Sequence, residues 1–144
     1  MKHDPIDDEH HVSRYCSPIT LDRNKRPMAS AFALKDNEEF LSVNWIEYFK
    51  GLSKEQAIDR VRDAFRKKNY RIKRSGRFAL LKVREVKTVI SDLSPSPFKI
   101  EHQPEENDPS HSGISGYTAS DEFITLAIKN LVRSEDVYLA ELPE

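Results

Sequence analysis

The segment from Ser53 to Lys68 constrains this chain more than any other stretch. Ser53 is a favoured helix N-cap, and Gln56 three residues later completes a capping box, in which each side chain satisfies a backbone N–H of the other residue. Ile58, Val61 and Phe65 recur at helical spacing with Ala57 and Ala64 beside them, while Arg62, Arg66 and Asp59 take the opposite face. The pattern predicts an amphipathic helix over about Lys54–Lys68. Such a helix must bury its apolar stripe against another layer.

The flanking segments supply that layer. Leu41, Val43 and Trp45 alternate with Ser42 and Asn44, the period of a half-buried strand. His11–Cys16 suits an edge strand, and Ala31 and Ala33 against Phe32 and Leu34 suggest another over Ser30–Leu34. Ser17–Ala29, with Pro18, Asn24 and Pro27, reads as a loop. Tyr70–Ile72 and Arg77–Val83 read as strands joined at Ser75-Gly76. Val83, Val86, Ile90 and Leu93 then recur at three and four, which predicts a second helix ended by Ser94–Pro97. Phe98–His102 and His111–Tyr117 read as strands around the polar loop Gln103–Ser110. A third helix is expected over Asp121–Leu131, capped by Ser120 or Asp121, and Val137–Leu142 closes the chain.

Short, turn-linked strands interspersed with helices predict an α+β fold. We expect a single domain with a short mixed or mostly antiparallel sheet, covered on one face by about three helices. Residues 1–10 lack apolar periodicity and are expected as a flexible acidic leader, with the domain spanning 11–144. The Ser-Pro-Ser-Pro run is a linker within that domain, because neither half alone would build much of a core.

Composition narrows the class. With 38% apolar and 33% charged residues, the chain is too apolar to be disordered throughout. It has no apolar run of about eighteen residues, so no membrane span is expected. Its acidic opening lacks an apolar core, so a secretory signal is not expected either. The lone Cys16 excludes an internal disulfide and fits a reducing, cytoplasmic compartment.

The net charge of −1 hides an uneven distribution. From Arg60 to Lys87 the balance is about +10, and from Glu101 to Glu144 about −8. In one reading the two segments face each other within the domain. In the other, the basic segment contacts phosphates through Arg66, Lys67, Arg71 and Arg74. The sequence pI of about 6.5 argues against a non-specific nucleic-acid binder.

Three clusters hold more reactive side chains than packing requires: His11 to Cys16; Ser42, Asn44 and Trp45; and His102 followed by Asp108 to Gly113. The segments HVSRYC, SVNWIEYF and HxP…DPSHSGI resemble a group of short bacterial proteins without an assigned activity. The similarity spans roughly His11–Tyr117. It implies a bacterial cytoplasmic setting and one full-length domain, and it carries over no catalytic residue.

The residues themselves suggest several chemistries. His11 and His111, with His102, are candidate acid–base groups for a phosphodiester, since imidazole carries protons near neutral pH. His11-Val12-Ser13 matches half of a two-histidine phosphoesterase signature, but His111-Ser112-Gly113 places glycine where the second half needs Ser or Thr. Arg14, Tyr15, Ser42, Asn44 and Ser112 are candidate ligand contacts, with Arg14 and Asn44 on phosphate oxygens and Tyr15 or Trp45 stacking on a base. Cys16 reads either as a nucleophile or as a small buried hydrophobe. No His or Cys pair has the spacing of a zinc site, so no metal is expected. With four glycines there is neither a GxGxxG nor a Walker motif, and no cofactor is expected.

Two function classes follow. One is a small domain that recognises or processes a phosphate-bearing ligand, a nucleotide or RNA. The other is a non-catalytic accessory protein that docks through its charged faces on a partner encoded by a neighbouring gene.

Overall fold

The computed structural model describes residues 3–69, 72–94 and 96–142. In chain order its elements are β1 (His11–Cys16), β2 (Leu41–Trp45), α1 (Lys54–Lys67), β3 (Arg77–Lys82), α2 (Val83–Leu93), β4 (Lys99–His102), β5 (His111–Ser115), α3 (Glu122–Lys129) and β6 (Val137–Leu139). The strands form one antiparallel sheet in the order β4-β5-β2-β1-β3-β6. The fold is α+β.

Helix α1 begins as its sequence predicts. The Ser53 hydroxyl accepts from the Gln56 backbone N–H at 3.1 Å, and the Gln56 side chain accepts from the Ser53 N–H at 3.0 Å. Ile58, Val61 and Phe65 pack on Phe78 and Leu80 of β3. The intervening Ala79 and Leu81 belong to a second core with Val86 and Ile90 of α2 and Ile124 and Ile128 of α3. Successive strand residues point to opposite faces. Helices therefore cover both faces of the sheet, not one, because β3 is apolar on both.

Other expectations are corrected by packing. Ser30–Leu34 is not a strand. A 3-10 turn spans Ala29–Phe32, and its consecutive Ala31 and Phe32 are both buried, which a half-buried strand does not permit. The strand expected at 70–72 falls partly on Tyr70 and Arg71, which lie outside the described residues.

The expected flexible leader is docked from residue 3 onward. The His3 N–H donates to the His102 carbonyl at 2.6 Å, His102 N–H to Asp4 at 2.9 Å, and Ile6 N–H to Ile100 at 3.0 Å, so this segment lines the outer edge of β4. Ile6 anchors it at 1% exposure. Asp8 pairs with Lys87, and Glu9 pairs with Arg84 and, at 3.5 Å, with Lys82. The basic segment is thus largely met by acids of the same chain, including Asp63 on Arg66 and Glu141 at 3.7 Å from Arg74. Among the described residues no helix is long and apolar enough to cross a membrane.

Arg62 departs most from its place on the helical wheel. It is 3% exposed, and its Nε and Nη2 donate to the Leu139 carbonyl at 3.1 and 2.7 Å while Nη1 bonds Asp59. Strand β6 has only three residues, and the guanidinium satisfies the carbonyl at its end. Arg62→Ala is expected to lower the unfolding free energy by about 2–3 kcal/mol, since it removes charge-assisted hydrogen bonds to the Leu139 carbonyl together with buried packing. Urea denaturation of the two proteins measures this.

Candidate functional site

The site begins where two strands part. Strand β1 pairs with β3 over its whole length, from His11–Lys82 to Cys16–Arg77. With β2 it pairs only at Val12–Trp45 and Ser13–Asn44, while β2 continues along β5 from Asn44–His111 to Leu41–Ile114. Arg14 fills the opening. Its Nε donates to the Ala31 carbonyl at 2.9 Å and its Nη1 to the Ser42 carbonyl at 3.0 Å. The guanidinium stands in for the missing backbone donors, and its Nη2 has no acceptor among the described residues.

A buried carboxylate organises the next wall. Asp108 and Ser110 are fully buried and Asn44 nearly so. The Asn44 amide donates to Asp108 Oδ1 at 2.8 Å and to Ser110 Oγ at 2.9 Å. Lys68, just past the end of α1, donates to Asp108 Oδ2 at 2.6 Å. Both amide donors of Asn44 are thereby committed. It holds the 103–110 loop to β2 rather than offering an N–H to a ligand. The loop itself turns tightly at Glu105–Asp108, with Asn107 in the left-handed region.

His111 faces the same space. Its Nδ1 lies 2.9 Å from the Gln103 carbonyl and its Nε2 3.3 Å from Ser42 Oγ. A carbonyl only accepts, so Nδ1 carries the proton and Nε2 accepts from the Ser42 hydroxyl. Glu105 lies 3.8 Å from Nδ1. Gly113, opposite Ser42 in the ladder, permits this arrangement: a Cβ there would sit 2.7 Å from Gln103 Oε1 and 2.8 Å from Phe40.

These elements enclose a cleft of about 710 Å³ lined by Arg14, Tyr15, Ser42, Asn44, Phe65, Lys68, Glu105 and His111, with Ser30, Ala31, Leu34, Lys35 and Glu38 on the far wall. Tyr15 packs against Phe65 and Phe78 with centroids 5.9 and 5.6 Å apart, and its hydroxyl accepts from the Lys73 N–H at 3.0 Å. The lining mixes cations with the carboxylates of Glu38 and Glu105.

The remaining candidates lie elsewhere. His102 and Ser112 are register partners and project from the sheet face opposite to His111, which precedes Ser112 on the same strand. The His102 Nε2 bonds the Pro109 carbonyl at 2.6 Å and its ring packs on Trp45 and Tyr48; Ser112 is fully buried and donates to the Ser110 carbonyl at 3.0 Å. Trp45 itself stacks on His10 outside the cleft. His11 sits at the far end of β1 from Tyr15 and bonds Glu47 at 2.6 Å. The three histidines therefore do not share one cleft. Arg66, Lys67 and Arg74 do not line it either, and Arg71 is outside the described residues. Cys16 is fully buried, which pushes its thiol up to about 12, and its Sγ donates to the Arg14 carbonyl at 3.5 Å, so it packs as a hydrophobe. Among the described residues no three His, Cys, Asp or Glu side chains cluster to hold a metal ion.

Sequence reading missed Lys68 and Phe65, and it placed Asp108 in a reactive cluster without giving it this role. Lys68 was one cation among many, Phe65 lay on the helix core stripe, and Asp108 beside Pro109 read as a turn. No local signal separates these roles from ordinary ones.

Two outcomes are expected. Asn44→Leu should destabilise the protein by about 2–3 kcal/mol in thermal or urea unfolding, because it leaves buried Asp108 and Ser110 short of a donor. At Glu47, burial alone would raise the carboxyl, but hydrogen bonds from the His11 ring and backbone outweigh it and hold it below the usual carboxylate range. A depressed folded pKa contributes stability above the unfolded pKa that is lost as pH falls through the folded one. Glu47→Gln should therefore be less stable than wild type at neutral pH, with the gap closing below about pH 4 in a pH series of unfolding curves.

No protein-family model, no curated protein and no solved structure matches this chain.

Proposed function

We propose that this chain binds a small ligand bearing a phosphate ester, a nucleotide or an RNA end, in the cleft between β1, β2, β5 and the end of α1. The observation that carries the reading is Arg14: two backbone carbonyls lock its guanidinium, it lines the cleft, and its Nη2 has no acceptor among the described residues. A planar, pre-oriented fork suits phosphate oxygens and loses little entropy on binding. Tyr15 adds aromatic surface on which a base can rest, and Lys35 adds positive charge. The setting that the sequence resemblance implies is a bacterial cytoplasm.

The second reading, an accessory protein docking on a partner, has a separate support. Phe123 and Leu126 lie exposed one turn apart on α3, at 81% and 47%. The charged faces support it less, since many of their cations are paired within the chain.

The test is equilibrium binding of fluorescent mononucleotides and short RNA at low salt. Wild type should bind, and binding should weaken as salt rises. Arg14→Gln should weaken it by at least about tenfold while a thermal melt still shows a cooperative transition. Absence of binding by wild type at low salt would sink the reading.

A further inference from the structure

The geometry points to Ser42 as a nucleophile and His111 as its general base, making the cleft a site that cleaves phosphodiesters. The inference rests on the phosphate-binding reading above and extends it from recognition to reaction.

Three observations converge on Ser42. Its hydroxyl is exposed to the cleft and lies 3.3 Å from His111 Nε2. That nitrogen is the basic one, because the Gln103 carbonyl at 2.9 Å holds the proton on Nδ1. A nucleophile, a base and a group that orients the base are thus in sequence, with Glu105 at 3.8 Å from Nδ1 to stabilise the imidazolium as it forms. The Ser42 backbone is itself fixed, since its carbonyl accepts from Arg14 Nη1 at 3.0 Å. The same guanidinium therefore positions the nucleophile and presents Nη2 to the oxygens around which charge builds.

The lining also accommodates a diester. Glu38 and Glu105 offset part of the positive charge of Arg14, Lys35 and Lys68. A diester carries one negative charge, which one guanidinium edge matches.

The reaction balances without a cofactor. Ser42 Oγ attacks phosphorus, the Oγ–P bond forms, and the P–O bond to the leaving alcohol breaks. The hydroxyl proton passes to His111 Nε2, while the alkoxide, leaving in line on the side of phosphorus opposite Oγ, takes a proton from solvent water. Water next attacks the phosphoserine diester from that same side, giving its proton to the hydroxide left in solution, and His111 protonates Oγ. The Oγ–P bond breaks, the proton returns to Ser42, and a phosphate monoester leaves. The sum is diester plus water giving monoester plus alcohol.

The probe is bis(p-nitrophenyl) phosphate with the full chain. Wild-type protein should release p-nitrophenolate, and acid quenching should trap a phosphoryl adduct on the peptide that carries Ser42. Ser42→Ala and His111→Ala should each lower release by at least about 100-fold, and both should melt cooperatively. Ser42 is exposed, so its variant separates chemistry from folding even where His111→Ala does not fold. Equal release by Ser42→Ala would overturn the proposal. Wild type that binds the diester or a nucleotide but releases nothing would overturn it too and leave the phosphate-binding reading standing. Wild type that binds neither would overturn both.

Discussion

A carboxylate with no solvent exposure must find its partners inside the protein, and Asp108 imposes that condition on everything around it. Its two oxygens are taken by Asn44 on β2 and Lys68 just past the end of α1. The end of the helix, the centre of the sheet and the 103–110 loop are thereby tied at one point. Ser110 accepts the second Asn44 donor, and its carbonyl accepts from both the Trp45 N–H and the Ser112 hydroxyl. The loop is held by satisfied polar groups, not by an apolar core, and this keeps one side of the cleft open yet shaped.

The other side depends on an incomplete ladder. Strand β2 leaves β1 after two pairs and stays with β5, so a gap opens in the middle of the sheet where polar backbone would go unsatisfied. Arg14 closes it with two donors and is held rigid in return. A long cation at this position serves structure first. Its availability to a ligand follows from that, because five N–H donors exceed the two carbonyls that accept from it among the described residues. The cleft is thus the place where the sheet is least complete and most heavily repaired by side chains.

Much of the architecture was legible in local pattern. The capping box and apolar stripe of α1, the three-and-four spacing of α2 and the alternation of β2 each reflect chemistry between near neighbours in sequence, and the structure follows them. The Ala29–Phe32 turn, the docked N-terminal segment and buried Arg62 did not read locally. Phe32 and Ile6 are placed by long-range burial, and Arg62 by a β6 carbonyl far along the chain. The site shows the same division. Arg14, Tyr15, Ser42, Asn44 and His111 stood out by residue type, but type alone did not separate His111 from Ser112 and His102. Strand parity did, by sending neighbours to opposite faces.

The sequence by itself determined the class of element at most strongly periodic segments, the α+β class and a set of chemically capable side chains, because those depend on spacing of a few residues. Only the tertiary structure decided that helices cover both faces of the sheet, that the acidic opening pairs with the basic segment, and which polar residues meet. Those outcomes depend on strand order, register and the need to satisfy every buried polar group, and such conditions join residues tens of positions apart.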